Sequence, residues 1–368
     1  MRRRWIELLV LAMAAAGCGS AADDGAPAGG RGVLPTNVVM AGSAAPAAAG
    51  SLAAPAAIGG APAAPGAAGK AAPAPSAAGA PAAVGGAPAR PPAGMPPAAA
   101  GGAAAPIPTA TTGVDPVIPM PKGECPMIVT GPAMIMGAMI QLTVGTKSPS
   151  QKGPIVIYWH GTGGNAKTAG AELGATVVGE VTASGGVIAS MESGGQGNPI
   201  DWGVFTTGDF DIVDQIVACS VMQLNIDTRR IYTSGASAGG LAAGTLMLLR
   251  SSYMAAGYPN SGGVAPWPGL AVLQDPAHVP ASFTMHGKMG VDVVVIDFGT
   301  SSMDLDRVIT SKGGFAVDCD HGGGHVAAPA NLKAAGWEFM KAHPFGTKPS
   351  PYAGGLPANF PMYCTIMK

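Results

Sequence analysis

The run Ile231-Tyr232-Thr233-Ser234-Gly235-Ala236-Ser237-Ala238-Gly239-Gly240 constrains this chain more than any other stretch, because an apolar strand passes through G-x-S-x-G directly into a helix-forming segment. Such a turn needs a sheet whose strand ends at an edge and a helix that starts there. The flanking glycines permit a strained backbone that lifts the Ser237 hydroxyl above the sheet, and Ala236 and Ala238 leave room beside it. In a chain with 57 glycines the pentapeptide alone says little. Its surroundings say more.

Upstream, the apolar run Pro154 to Trp159 ends in the glycine-rich turn His160-Gly161-Thr162-Gly163-Gly164-Asn165. Downstream, Asp292 follows the strand-like Phe283 to His286, and His325 closes the turn Asp320-His321-Gly322-Gly323-Gly324-His325. An unassisted hydroxyl is a poor nucleophile, so Ser237 needs a base and the base needs an orienting acid. His325 is the preferred base, with His321 in the same turn as the alternative. Asp292 is the preferred acid, with Asp297 and more remotely Asp304 and Asp306 as alternatives. The backbone amides of Thr162 and Ala238 are the candidate oxyanion donors, the latter at a helix start that adds partial positive charge. The chain order Ser, Asp, His resembles that of the α/β-hydrolases.

Composition divides the chain. From 41 to 110, 59 of 70 residues are Ala, Gly or Pro, and only Lys70 and Arg90 carry charge. A segment without large side chains cannot offset chain entropy, so 19–113 is expected to be a disordered tether with an r.m.s. span of roughly 50 to 60 Å. Ahead of it, Arg2, Arg3 and Arg4 precede a short apolar run that ends at Ala15-Ala16-Gly17-Cys18. Residues 1–18 therefore read as a signal peptide. Its end resembles the lipobox of bacterial lipoproteins, which implies lipidation at Cys18 and a membrane anchor; plain secretion after cleavage near Ala16 is the alternative. The protein is expected to be exported.

Residues 114–345 then form one catalytic domain and 346–368 a tail packed on it. Strand-like runs at Met127–Val129, Met139–Val144, Pro154–Trp159, Gly186–Met191, Ile231–Ser234, Phe283–His286 and Phe315–Asp318 alternate with helical spacing at Ala169–Ala183, Asp211–Met222, Ala238–Arg250 and Asn331–Lys341. That alternation predicts an α/β fold, a mostly parallel central sheet covered by helices on both faces. Met134, Met136 and Met139 read as apolar filling for the first strands. Cys125, Cys219, Cys319 and Cys364 favour two disulfides in an oxidising compartment. Three pairings are possible. The expected topology favours Cys125 with Cys219 at the lower sheet edge and Cys319 with Cys364 at the upper. A net charge near zero, with no basic run beyond the signal peptide, argues against nucleic acid. No metal or organic cofactor is implied.

Asp227-Thr228-Arg229-Arg230-Ile231-Tyr232 leading into the Ser237 turn, the His160-Gly161 turn, His286-Gly287 before Asp292, and Cys319 with Gly323-Gly324-His325 together resemble the esterase family of poly(3-hydroxybutyrate) depolymerases and feruloyl or acetylxylan esterases. The resemblance runs from about Cys125 to Lys341. It implies an α/β-hydrolase fold, a triad of Ser237, Asp292 and His325, and an ester substrate that is a polymer or a polysaccharide decoration. Trp202 stands near a tryptophan-containing loop of that family and is a candidate substrate contact, as is His160, whose main expected role is to hold its turn. A serine peptidase on the same fold and a non-catalytic polysaccharide-binding lipoprotein are the competing readings.

Overall fold

The computed structural model describes residues 113–146, 150–192, 199–201, 205–266 and 268–368. The signal segment, the tether, Cys18 and Trp202 lie outside the described residues. The chain first forms a hairpin, β1 (Gly131–Ile135) and β2 (Ala138–Val144), joined by Met136 and Gly137 at φ 49° and 83°. Two successive positive φ values give the turn the twist that matches a hairpin. β3 (Gly153–Trp159) follows, buried at every position, as expected of a strand covered on both faces. Then come α1 (Ala169–Leu173), α2 (Ala175–Ala183), β4 (Val187–Met191), the short pair β5 (Pro199–Asp201) and β6 (Phe205–Thr206), and α3 (Asp209–Gln223).

The second half runs β7 (Ile226–Ala236), α4 (Ala238–Leu249), β8 (Ala256–Asn260), β9 (Ala281–His286), α5 (Phe298–Ser311), β10 (Ala316–Asp320), α6 (Ala330–Ala342) and β11 (Cys364–Ile366). Among the described residues the main sheet has nine strands in the order β1-β2-β4-β3-β7-β8-β9-β10-β11. From β4 through β10 the neighbours are parallel; β1, β2 and β11 add antiparallel edges. One face packs Ile155, Ile157 and Trp159 against α3 and α4. The other packs Val156, Tyr158 and Tyr232 against α1, α2 and α6. Each such side chain, once fully buried, contributes about 1.5–3 kcal/mol, so the two layers hold the parallel strands whose carboxyl ends carry the site.

Several expectations need correction. Met127–Val129 is not a strand: it is irregular chain tied to α3 by the Gln223 side chain, which accepts from Ile128 N at 2.9 Å and donates to Pro126 O at 2.8 Å. The helix expected over Ala169–Ala183 is broken at Gly174, whose φ of 89° no helix accommodates. Met134, Met136 and Met139 are 57%, 46% and 42% exposed and fill no core, because the hairpin turns that side outward. β8 and α5 were missing from the sequence reading. The tail does more than wrap the surface, since β11 extends the sheet along β10. Disulfides join Cys125 to Cys219 and Cys319 to Cys364, the favoured pairing. The second links facing residues of β10 and β11.

Candidate active site

Ser237 sits between the end of β7 and the start of α4 with φ 57° and ψ −122°, a conformation that an L residue holds only when its surroundings enforce it. The enforcement is visible. Ser237 N donates to Asn260 O at 2.9 Å, and a Cβ on Gly239 would collide with the carbonyls of Trp159 and His160. The glycines of G-x-S-x-G are thus needed for close approach between α4 and the neighbouring strand as well as for the turn.

The strained turn points Ser237 Oγ at His325, whose Nε2 lies 2.9 Å away. The other ring nitrogen, Nδ1, is 2.7 Å from Asp292 Oδ1. Asp292 is completely buried, and its Oδ2 accepts from Ser261 Oγ at 2.8 Å and from Gly287 N at 2.9 Å. Burial pushes this carboxyl up, but the hydrogen bonds from His325, Gly287 and Ser261 outweigh it and hold the group below the usual carboxylate range. The site therefore contains a fixed negative charge, a partly exposed imidazole and a hydroxyl in line. Phe298, at the start of α5, packs its ring 4.6 Å from that of His325 and limits where the imidazole can swing.

The alternatives from the sequence are placed elsewhere. His321 turns back on its own loop, where Nδ1 accepts from Gly323 N at 3.2 Å, while the three following glycines bring the chain round to His325. Asp297 caps α5 by accepting from Thr300 N at 3.0 Å, Asp304 pairs with Arg307, and Asp306 is enclosed beneath the sheet edge. The substrate-contact reading of His160 is not what the structure gives: the ring is 1% exposed, bonds through Nδ1 to Gly161 O at 2.8 Å, and packs 5.1 Å from Phe205. Its place at the end of an all-buried strand points it into the core. The turn it supports does reach the site.

Beside Ser237 lies a cavity of about 260 Å³ whose lining includes Tyr158, Thr162, Glu172, Ser237, Asn260 and His325. Thr162 is on the exposed turn, and Ala238 opens α4, where the first amides of a helix lack partners within it. The Tyr158 hydroxyl and Asn260 Oδ1 belong to lining residues and are themselves buried. The sequence reading missed Asn260 and Ser261 because Ala256-Gly257-Tyr258-Pro259-Asn260 reads as a turn. Proline is rare in a central strand. Only the apolar Ala255 and Ala256 before it hinted at β8.

No protein-family model matches this sequence, and no curated protein matches it. Solved structures do. A serine-to-alanine variant of a protein named pOPH, in complex with pNPB, is 16% identical over 66% of this chain and 96% of its own, with a TM-score of 0.51. A serine-to-cysteine variant of pOPH with DMSO is 17% identical over 66% and 95%, with a TM-score of 0.50. The chain has the α/β-hydrolase fold. The turn of Ser237 and the loops of Asp292 and His325 stand at the carboxyl ends of β7, β9 and β10, the edge where open α/β sheets bind ligands. A Bacillus cereus carboxylesterase structure is also similar, at 17% identity over 55% of this chain and 95% of that one, with a TM-score of 0.43.

Proposed function

We propose that this chain is an exported serine esterase that forms an acyl-enzyme at Ser237. The observation that carries the reading is the continuous Asp292, His325, Ser237 hydrogen-bond line ending on a serine held at φ 57°. In the first half-reaction Ser237 Oγ attacks the ester carbonyl and His325 Nε2 takes its proton. Asp292 keeps the remaining proton on Nδ1 and stabilises the imidazolium. The amides of Ala238 and Thr162 donate to the oxyanion, each worth about 10² to 10³ in rate. His325 returns the proton to the leaving alcohol, and then activates water to release the acid.

The cavity supports a narrower substrate class. At about 260 Å³ it falls below the roughly 300 to 1,000 Å³ typical of drug-sized pockets, and its wall offers hydroxyl, amide and carboxylate groups. A short, uncharged acyl group such as acetyl or hydroxybutyryl fits this better than feruloyl, and Glu172 disfavours an anionic one. The two disulfides support an oxidising, exported setting, and Cys18 is the proposed lipid anchor with 19–113 as its tether. Among the described residues no helix is long and apolar enough to cross a membrane.

A fluorophosphonate probe tests the reaction: labelling is expected on the wild type and not on Ser237→Ala. A protein that only binds polysaccharide would remain unlabelled. Rates on matched acetyl, hydroxybutyryl and feruloyl esters, with a peptide panel alongside, test the substrate class; a preference for feruloyl or for peptides removes it. Fatty-acid labelling of the exported protein, lost in Cys18→Ser, tests the anchor.

A further inference from the structure

A second histidine and acid pair lies directly behind Asp292. His286, the last residue of β9, is 1% exposed, and both its ring nitrogens face oxygen. Nδ1 is 2.5 Å from Gly287 O and Nε2 is 2.6 Å from Asp318 Oδ1. A neutral imidazole carries one N–H, so one of those nitrogens would present a lone pair to an acceptor at contact distance. Two protons on the ring satisfy both. Gly287 in turn donates its own N–H to Asp292 Oδ2 at 2.9 Å, and Lys288 N donates to Gly323 O at 3.0 Å, which joins this turn to the loop that carries His325.

The groups facing His286 favour the charged ring. Asp318 pairs with it from β10, where Asp320 lies farther off; Asp306 approaches from α5; Asp292 is reached through Gly287; and His321 N donates to His286 O at 3.1 Å. Asp306 is fully enclosed, with Ser282 Oγ at 2.9 Å and Thr284 Oγ1 at 2.6 Å. Burial first, and the Asp318 charge after it, push Asp306 up to about 8, so near neutrality it is the acid that keeps its proton. Asp318 is the acid in direct contact with the ring. Burial on its own would push His286 down, but the Asp318 hydrogen bond and charge, with the Gly287 carbonyl, lift it to about 9.

We propose that His286, held as an imidazolium by Asp318, is a positioning residue that clamps Gly287 so that its N–H stays on Asp292, and that loss of this proton sets an alkaline limit on turnover. The proposal rests on the reading of Asp292 as the acid of the serine site. When the His286 ring loses a proton, Nδ1 can no longer donate to Gly287 O, the turn relaxes, and Asp292 loses one of its three donors. The nucleophile, the cavity and the oxyanion amides are untouched, so the loss falls on kcat.

The test combines a direct measurement with two variants. Histidine-labelled wild type, observed by nitrogen NMR, should show both His286 ring nitrogens protonated at pH 7.5 and a titration near pH 9, with Asp318→Asn used for assignment. The wild-type kcat profile should fall above about pH 9 with KM nearly constant. In Asp318→Asn that alkaline limb should move down by at least one pH unit. His286→Gln should lower kcat about tenfold, leave KM within twofold, and lose the limb. A His286 that titrates at the ordinary histidine value, or a folded Asp318→Asn whose limb does not move, overturns the proposal. Should His286→Gln fail to fold, the NMR titration and the Asp318→Asn profile still decide. Absence of fluorophosphonate labelling at Ser237 would instead remove the esterase reading, which the NMR result does not depend on.

Discussion

The two histidine and aspartate pairs at the carboxyl edge of the sheet have the same first half and different second halves. In each, one ring nitrogen meets a carboxylate, at 2.7 Å for His325 with Asp292 and 2.6 Å for His286 with Asp318. The remaining nitrogen of His325 meets a hydroxyl, whereas that of His286 meets a carbonyl. A hydroxyl can give up a proton to the ring; a carbonyl can only accept one. The first pair is therefore able to act as a base, and the second favours the cation. Exposure follows the same division, with the His325 side chain 25% exposed beside the cavity and that of His286 1% exposed. A carboxylate beside an imidazole is common to a clamp and to a proton relay, and the partner of the other nitrogen tells them apart.

The largest expected effect comes from removing the relay. Ser237→Ala or His325→Ala should each lower kcat/KM on a short ester by about 10⁵- to 10⁶-fold, and the double variant should be scarcely worse, because the two act as one unit. His321→Ala should cost less than about threefold, since its ring bonds only within its own turn. Steady-state kinetics with folding checked by circular dichroism decides. Equal losses at His321 and His325 would erase the distinction between a histidine that reaches the serine and one that does not.

The residues of the proposed relay could be picked out in the sequence as candidates, and those of the proposed clamp could not, for a physical reason. Ser237, Asp292 and His325 sit in glycine-rich turns after apolar strands, and such turns are where side chains leave the sheet. His286 was visible only as the end of a strand, and Asp318 as part of one. Which atoms a buried pair touches depends on sheet register, here Asp318 opposite Thr284 and Asp320 opposite His286, and register is a tertiary property. The same limit explains β8, whose Pro259 and Gly257 argue locally for a turn and are accommodated because β7 and β9 flank the strand on both sides. α5 was hidden by a weakly apolar sequence, Phe298 to Ser311, that faces the core with only one stripe.

The disulfides allow the comparison to be disturbed on one side at a time. Cys319 follows Asp318 directly and bonds to Cys364 across the outermost strand pair, so this bridge fixes the strand that carries the clamp. Cys319→Ser with Cys364→Ser should lower stability by about 2–4 kcal/mol and bring the alkaline limb of kcat downward. Cys125→Ser with Cys219→Ser closes no loop near either histidine; it should destabilise by a similar amount and leave the limb in place. Denaturant unfolding and a kcat profile on each folded variant provide the check. A limb that shifts equally in both would mean that general loosening, rather than the position of Asp318, controls the clamp.

The smallest effect concerns the neutral acid beneath the clamp, and its sign follows from which state holds the proton more tightly. Asp306 is raised from 3.8 to about 8 and His286 from 6.5 to about 9, so the stability each contributes is complete below its unfolded value and is lost as pH rises through its folded one. His278 and His343, buried neutral against the carbonyls of Met254 and Phe339, are lowered to about 4, so their contribution is lost as pH falls from 6.5 toward 4. Between pH 4 and 6.5 two rising contributions oppose one falling; above 6.5 only falling ones remain. The melting temperature should therefore peak near pH 6.5 and decline toward pH 9. Asp306→Asn keeps the shape and removes one titration, so the decline between pH 6.5 and 8 should become about half as steep while the part belonging to His286, up to pH 9, persists. Scanning calorimetry across that range reads both segments. An unchanged slope below pH 8 in a folded variant would mean that Asp306 is already ionised at neutral pH, and the charge assignment around His286 would then have to be redrawn with Asp306 as a second negative charge.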